Sequence, residues 1–244
     1  MTRNIPPIAI ITGTGMSEQF DLTRPSTVRT PFGKTTAYYQ DGEYVVVPRH
    51  GAGHGLPPHA INYRANIAAL EKLRVKKVIA TSAVGSMDRG FRVGEIGLIE
   101  QFLDFTKRRQ MTFFENRVVH TDVTNPYSSR LNLELLASAK QMGLDVRTHL
   151  VYVCVEGPRF ETAAEIKMYK ILGGDVVGMT GVPEVVLANE KKLEYASVAI
   201  ATNWAAGMQP RVSQEEVLHV MRRSGKVVKQ LIETTVESLT GEQN

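Results

Sequence analysis

Short runs of β-branched and other apolar residues recur along this chain, separated by longer segments with helical spacing. That alternation constrains the fold more than any other feature. Strands are predicted at Ile8–Thr12, Tyr44–Pro48, Lys77–Thr81, Gly97–Glu100, Leu150–Val155, Asp175–Met179 and Tyr195–Thr202. Helices are predicted at Ala60–Leu73, Leu131–Met142, Ala163–Leu172, Pro183–Lys191 and Ser213–Leu239. In the last of these, Val217, Met221, Val228 and Ile232 recur at helical spacing, and Ser213 with Glu216 forms an S-x-x-E capping box. Strands this apolar have no polar face to turn to water. They predict a mainly parallel or mixed central sheet covered by helices on both faces. No linker, repeat or low-complexity segment interrupts the 244 residues, of which 43% are hydrophobic, so residues 1–244 read as one α/β domain.

Composition narrows the function classes. Cys154 is the single cysteine, which rules out an intrachain disulfide and fits a reducing compartment. No apolar run approaches the ~18 residues of a membrane span, and the N-terminal residues lack a signal-peptide pattern. The expectation is a soluble, cytoplasmic protein with no membrane partner. The formal net charge is +4. It is spread too diffusely for nucleic acid, and no nucleic-acid motif is present. The one tight basic cluster, Lys107-Arg108-Arg109, reads as a solvated loop. The irregular stretch from Thr106 to Tyr127 is a candidate site or interface loop.

Six stretches carry chemistry. The first strand ends in Gly13-Thr14-Gly15. Glu18 stands where a dinucleotide fingerprint needs its third glycine, and no G-K-[ST] follows, so the loop suits a small oxyanion better than a long cofactor. The second is Arg49-His50 at another strand end, a cationic fork beside a further donor. His50, His54 and His59 are close in sequence, but the intervening glycines and prolines forbid the helix that would align His50 with His54, so no metal is expected. The third is Ser82-Ala83-Val84-Gly85, expected to follow the strand Lys77–Thr81 and to offer donors at its carboxyl end. The fourth is the break at Gly157-Pro158, with Phe160 and Glu161 beside it. Phe160 can stack on a flat ring. Glu161 has two readings, an acceptor for a ring N–H or an acid favoured at a helix start. The fifth is Met179-Thr180-Gly181, followed by Pro183 and Glu184 in a first helical turn. The sixth is Thr202-Asn203-Trp204, where Asn203 is either a turn residue or a donor and acceptor at a strand end.

In this order, the six stretches resemble the purine nucleoside phosphorylase and methylthioadenosine phosphorylase family, from about Ile8 to the last helix. The most specific pieces are EGPRFET, MTGVPEVVLA and PRHG followed by PPHAINYRAN. The resemblance implies a mixed, partly barrel-like sheet flanked by helices. It implies phosphate contacts from Thr14, Arg49, His50, Ser82, Ala83 and Thr180, with Met179 against the ribose and Phe160 against the base. Phosphate would then be the nucleophile and co-substrate, and no cofactor or metal would be needed.

The base end resembles the 6-oxopurine enzymes. Glu161 and Asn203 would be the catalytic pair, Glu161 accepting the N1–H of hypoxanthine or guanine and Asn203 donating to O6 or N7. Asn203 and Ala205 stand where the methylthioadenosine enzymes carry acids. At the sugar end, Gln214 matches the position that reaches the 5′ group, and His120 matches a residue lent by a neighbouring subunit. The implied partners are a purine nucleoside, inorganic phosphate and copies of the same chain in a homotrimer or hexamer. The implied function is phosphorolysis of inosine and guanosine in purine salvage. The alternatives are cleavage of methylthioinosine or methylthioadenosine, or nucleoside binding without catalysis.

Overall fold

A computed structural model describes residues 7–241 apart from 42, 52 and 54. The elements run β1 (Ile8–Thr12), β2 (Pro25–Thr30), β3 (Gly33–Gln40), β4 (Tyr44–Pro48), α1 (Tyr63–Lys72), β5 (Lys77–Ser86) and β6 (Ile96–Phe105). There follow α2 (Ser129–Gln141), β7 (Val146–Val155), α3 (Ala163–Ile171), β8 (Val176–Gly178), α4 (Gly181–Glu190), β9 (Glu194–Trp204) and α5 (Gln214–Gly241).

The strands form one mixed sheet in the order β2-β3-β4-β1-β5-β8-β7-β6-β9. Because β9 also pairs with β5, strands β5, β8, β7, β6 and β9 close into a barrel, and β1 to β4 extend from it. Residues alternate along β1 between two cores. Ala9 and Ile11 face Ile67 and Leu70 of α1 and Val185 of α4. Ile8 and Ile10 face Leu131 and Leu135 of α2 and Met221, Val228 and Ile232 of α5. Burial on both faces explains the continuous apolar run. A smaller cluster packs Ile166 and Tyr169 of α3 against Val153 of β7 and Val177 of β8.

Several elements differ from expectation. β5 does not stop at Thr81, so Ser82-Ala83-Val84-Gly85 lie inside a strand, with a bulge between Val84 and Gly85. The parallel ladder with β9, from Lys77↔Glu194 to Ser86↔Trp204, carries the strand onward. β2 and β3 were not expected at all. They form an antiparallel hairpin around Pro31-Phe32, with Thr30 opposite Gly33, and their Thr-rich, half-exposed residues lack an apolar run. Helix α1 begins at Tyr63 rather than near Ala60, because Asn62 caps it by accepting from the Ala65 N–H at 3.0 Å. The capping box on α5 is half formed. Ser213 accepts from the Glu216 N–H at 3.2 Å, but the Glu216 carboxylate bonds to Gln209. The Lys107-Arg108-Arg109 run is not wholly solvated, since the Arg109 side chain is 1% exposed. Among the described residues, no helix is long and apolar enough to cross a membrane.

Candidate active site

The site grows from a gap in the sheet. β9 occupies one edge of β5 along its whole length, so β1 and β8 share the other. β1 pairs with residues Lys77 to Ala80 and β8 with Gly85 and Ser86. Between them, the edge from Thr81 to Val84 carries no partner strand. The Thr81 carbonyl faces this gap, where it accepts from Arg49, and strand alternation turns the Ala83 N–H to the same side. A crevice where neighbouring strands diverge at their carboxyl ends is where open α/β sheets bind ligands.

Glycine lets the first loop reach this gap. The Gly13 N–H donates to Thr81 Oγ1 at 3.0 Å. A Cβ at Gly13 would lie 2.8 Å from both Arg49 Nη1 and the Thr81 carbonyl oxygen. Gly15 has φ +71°, and a Cβ there would meet Met221 Cβ at 2.6 Å. Thr14, between them, is half-buried.

Arg49 forms the floor. Its Nε and Nη2 donate to the two Glu184 carboxylate oxygens, each at 2.7 Å, and Nη1 donates to the Thr81 carbonyl at 2.8 Å. Tyr195 Oη donates to Glu184 Oε1 at 2.6 Å. Both members of the ion pair are 0% exposed. Burial opposes the Arg49 cation, but the Glu184 charge and hydrogen bonds more than reverse this and hold the guanidinium protonated well above its usual range. Burial, then the Glu184 charge, pushes the Tyr195 phenol far up, so it stays a neutral donor. The fork expected to face phosphate thus closes on a carboxylate, leaving one N–H on each terminal nitrogen. Sequence reasoning took Glu184 only as a first-turn acid. The signal was its isolation, one acid inside the apolar run GVPEVVLA.

The remaining residues expected on the phosphate side are His50, Ser82 and Thr180. His50 is buried, and its Nδ1 lies 2.8 Å from the Leu56 carbonyl, an acceptor only, so Nδ1 carries the proton. Ser82 is buried, with its Oγ 3.4 Å from Ser197 Oγ. Thr180 is the N-cap of α4 but makes no side-chain capping bond, so its hydroxyl is not spent on the helix. The Thr180 and Gly181 N–H groups both donate to Tyr152 Oη, at 3.1 and 3.3 Å. Burial keeps the Tyr152 phenol protonated.

The other side of the site is open. Met179 is half-buried against Gly157, where a Cβ would meet its Sδ at 2.7 Å. Phe160 is 38% exposed. Helix α3 is capped by Thr162 and Glu165 in a reciprocal box, and Arg159 forks onto Glu165 at 2.7 and 2.8 Å. Glu161 therefore precedes the cap and does no capping work. Burial raises its carboxyl above the ordinary glutamate range, and the nearby Glu165 charge adds to this. Asn203 lies within β9 rather than in a turn. Its Oδ1 accepts from Thr202 Oγ1 and its Nδ2 donates to the Trp204 carbonyl, both at 2.9 Å. Ala205 is buried in one apolar cluster with Met179 and Met208.

Gln214 is exposed at the start of α5, and His120 is exposed in the loop beyond Phe114. Neither touches the groups above through any described hydrogen bond. Gln209, which sequence reasoning missed, links the two regions. Its Oε1 accepts from the Trp204 N–H at 2.9 Å, and its Nε2 donates to Glu216 Oε2 at 2.7 Å. A cavity of about 550 Å³ lies elsewhere, between the β2–β3 turn, α1 and Lys191. Among the described residues, no three His, Cys, Asp or Glu side chains are grouped to hold a metal ion; His54 lies outside them.

Comparisons with known proteins place the chain in a family. A protein of Moorella thermoacetica named "Probable 6-oxopurine nucleoside phosphorylase" is 46% identical, covering 97% of this chain and 95% of that protein. One of Methanothermobacter thermautotrophicus named "Probable S-methyl-5'-thioinosine phosphorylase" is 43% identical, covering 97% of this chain and 86% of that one. The solved structure of methylthioadenosine phosphorylase from Schistosoma mansoni in complex with adenine superposes with a TM-score of 0.88 at 31% identity, covering 98% of this chain and 93% of that one. Residues 7–237 match the sequence profile of one family, and the chain belongs to the phosphorylase superfamily.

Proposed function

We propose that this enzyme, a pentosyltransferase, cleaves the 6-oxopurine nucleosides inosine and guanosine with inorganic phosphate, giving free base and ribose 1-phosphate for purine salvage in the cytoplasm. The observation that carries the base assignment is Glu161. It is a largely buried carboxylate, excluded from the helix cap and not taken by Arg159. A carboxylate in that state suits the N1–H of hypoxanthine or guanine. Adenine has no N1–H and would meet it with a lone pair, at a cost of about 1–3 kcal/mol or more.

Phosphate would lie in the gap beside β5, held by Thr14, Ser82, the Ala83 N–H and Thr180, with His50 beside it and the Arg49–Glu184 pair beneath. It would attack the anomeric carbon as the glycosidic bond loosens. Positive charge then gathers on the ribosyl group and negative charge on the purine. A phosphate fixed under the sugar stabilises the first, and the Asn203 amide, donating at N7 or O6, stabilises the second. Met179 would line the ribose and Phe160 the base. Phosphate is the co-substrate, and the scheme requires no metal or cofactor.

A second reading keeps the base and changes the sugar. Gln214 is exposed and makes no described hydrogen bond, which favours a methylthio group over a 5′-hydroxyl and hence methylthioinosine. Subunit association, as a trimer or hexamer, would bring His120 to a neighbour's 5′ pocket. Val118 beside it is 84% exposed, which supports an interface there. The test is base release from inosine, methylthioinosine and adenosine, each with and without phosphate, alongside the solution mass. Phosphate-dependent release from inosine at least equal to that from methylthioinosine supports the first reading, and strong preference for methylthioinosine supports the second. Release from adenosine alone refutes the role given to Glu161, and binding without release refutes catalysis.

A further inference from the structure

We propose that Arg109 is a positioning residue for this reaction, setting the base-side loop against the turn that carries the ribose and phosphate groups. The inference rests on the phosphorolytic reading above. Arg109 belongs to the irregular loop after β6, yet its side chain is 1% exposed. Nη2 donates to the carbonyls of Met179 at 2.7 Å, Glu156 at 2.9 Å and Val155 at 3.2 Å. Nη1 donates to the Val182 carbonyl and to Tyr63 Oη. Val155 and Glu156 lead directly into Gly157, Phe160 and Glu161. Met179 and Val182 bracket Thr180.

The location gives these bonds their meaning. The ladder between β7 and β8 ends at Cys154↔Gly178. Arg109 bridges the two strand ends just past that point, where they diverge and where the substrate groups stand. Four of its acceptors are backbone carbonyls, the others being Tyr63 Oη and Cys154 Sγ, and its one ion pair among the described residues is with Glu156, 3.8 Å from Nε. Arg49 by contrast is closed onto a carboxylate. A planar fork can hold carbonyls from two strands at fixed separation, whereas a lysine ammonium offers three donors from a single point.

The test uses the full-length Arg109→Lys and Arg109→Ala variants, with the exposed neighbour Arg108→Ala as control, on whichever nucleoside the wild type cleaves. A misaligned reaction centre costs turnover more than binding, so Arg109→Lys should lose ~10–100-fold in kcat per folded enzyme while KM for phosphate and for nucleoside each moves less than ~3-fold. Arg109→Ala should recover at least ~5-fold with millimolar ethylguanidinium and not with ethylammonium at equal ionic strength. The inference is overturned if Arg109→Lys keeps kcat within ~3-fold of wild type, if its loss lies only in KM or melting temperature, or if both cations rescue equally. Should Arg109→Ala fail to fold, Arg109→Lys decides. A wild type that releases no base with phosphate overturns the functional reading and this inference with it. An active wild type with an unaffected Arg109→Lys overturns this inference alone.

Discussion

The two halves of the site are built differently. On the side proposed for phosphate, Arg49 and Glu184 are wholly buried and joined by two 2.7 Å bonds, and His50, Ser82 and Thr180 are all buried around them. On the side proposed for base and sugar, Phe160, Gln214 and His120 are exposed, and Arg159 hydrogen-bonds Glu165 rather than Glu161. The first half is finished by folding. The exposed side chains of the second can change without repacking a core, unlike the buried Asn203 and Ala205. This matches the relatives, whose names divide between 6-oxopurine nucleosides and methylthioinosine at 46% and 43% identity. On the proposed reading, a common anion floor with an adjustable rim would let one scaffold serve several nucleosides.

That contrast can be tested from both sides. The largest effect is expected at the floor. Glu184→Ala leaves Arg49 buried and unpaired, which should destabilise the fold by about 3–5 kcal/mol in urea unfolding. Gly13→Ala comes next. Its Cβ would lie 2.8 Å from Arg49 Nη1 and from the Thr81 oxygen. An overpacking cost of about 1–3 kcal/mol, felt at the anion loop, should raise KM for phosphate at least ~10-fold and leave free-base binding within ~3-fold.

At the rim, effects should be smaller and should fall on specificity. Glu161→Gln should lower kcat/KM for inosine by ~10-fold, the scale of one charge-assisted hydrogen bond. The pH profile gives an independent check. Burial raises the Glu161 carboxyl above its ordinary value, and only the carboxylate accepts N1–H. In wild type, kcat/KM should therefore fall as pH drops through that raised value, at a pH above the normal glutamate range, and Glu161→Gln should lose this limb. Asn203→Asp with Ala205→Asp should add measurable release of adenine from adenosine or methylthioadenosine, and an inert double variant would refute the base-recognition scheme. Phe160→Ala should cost least, about 1 kcal/mol of stacking, seen as a ~3–10-fold rise in nucleoside KM with unfolding midpoints unchanged.

Much of the fold was legible because buried strands announce themselves. Ile8–Thr12 and Tyr44–Pro48 match the observed β1 and β4 at both ends, since each is apolar throughout and stops at a loop. β5 runs five residues past the expected Thr81 to Ser86 because β9 pairs with it there, and such non-local pairing leaves no mark in the local pattern. The hairpin of β2 and β3 escaped because an exposed strand of Thr, Ser and Lys resembles a polar loop. Its turn, Pro31-Phe32 before a glycine, was the available clue. Of the residues expected at the site, Thr14, Arg49 and Thr180 stand just past strand ends, whereas Ser82, Ala83 and Asn203 lie inside β5 and β9. Their supporting partners did not stand out. Arg109 is one of three adjacent basic residues, and nothing in that run says which one turns inward. Glu184 is a single acid that composition assigns to a helix start.

The closure of β9 onto β5 also bears on how copies of this protein behave when crowded. An open sheet exposes two unpaired edges, each a template for edge-to-edge association. Here one end of the strand order has returned to the middle, which leaves β2 as the terminal strand. That strand begins with Pro25, which has no N–H to offer, carries the exposed Arg29, and has its Arg29 carbonyl occupied by the Lys72 ammonium at 2.9 Å. A sheet whose terminal strand is defended in this way resists runaway strand addition.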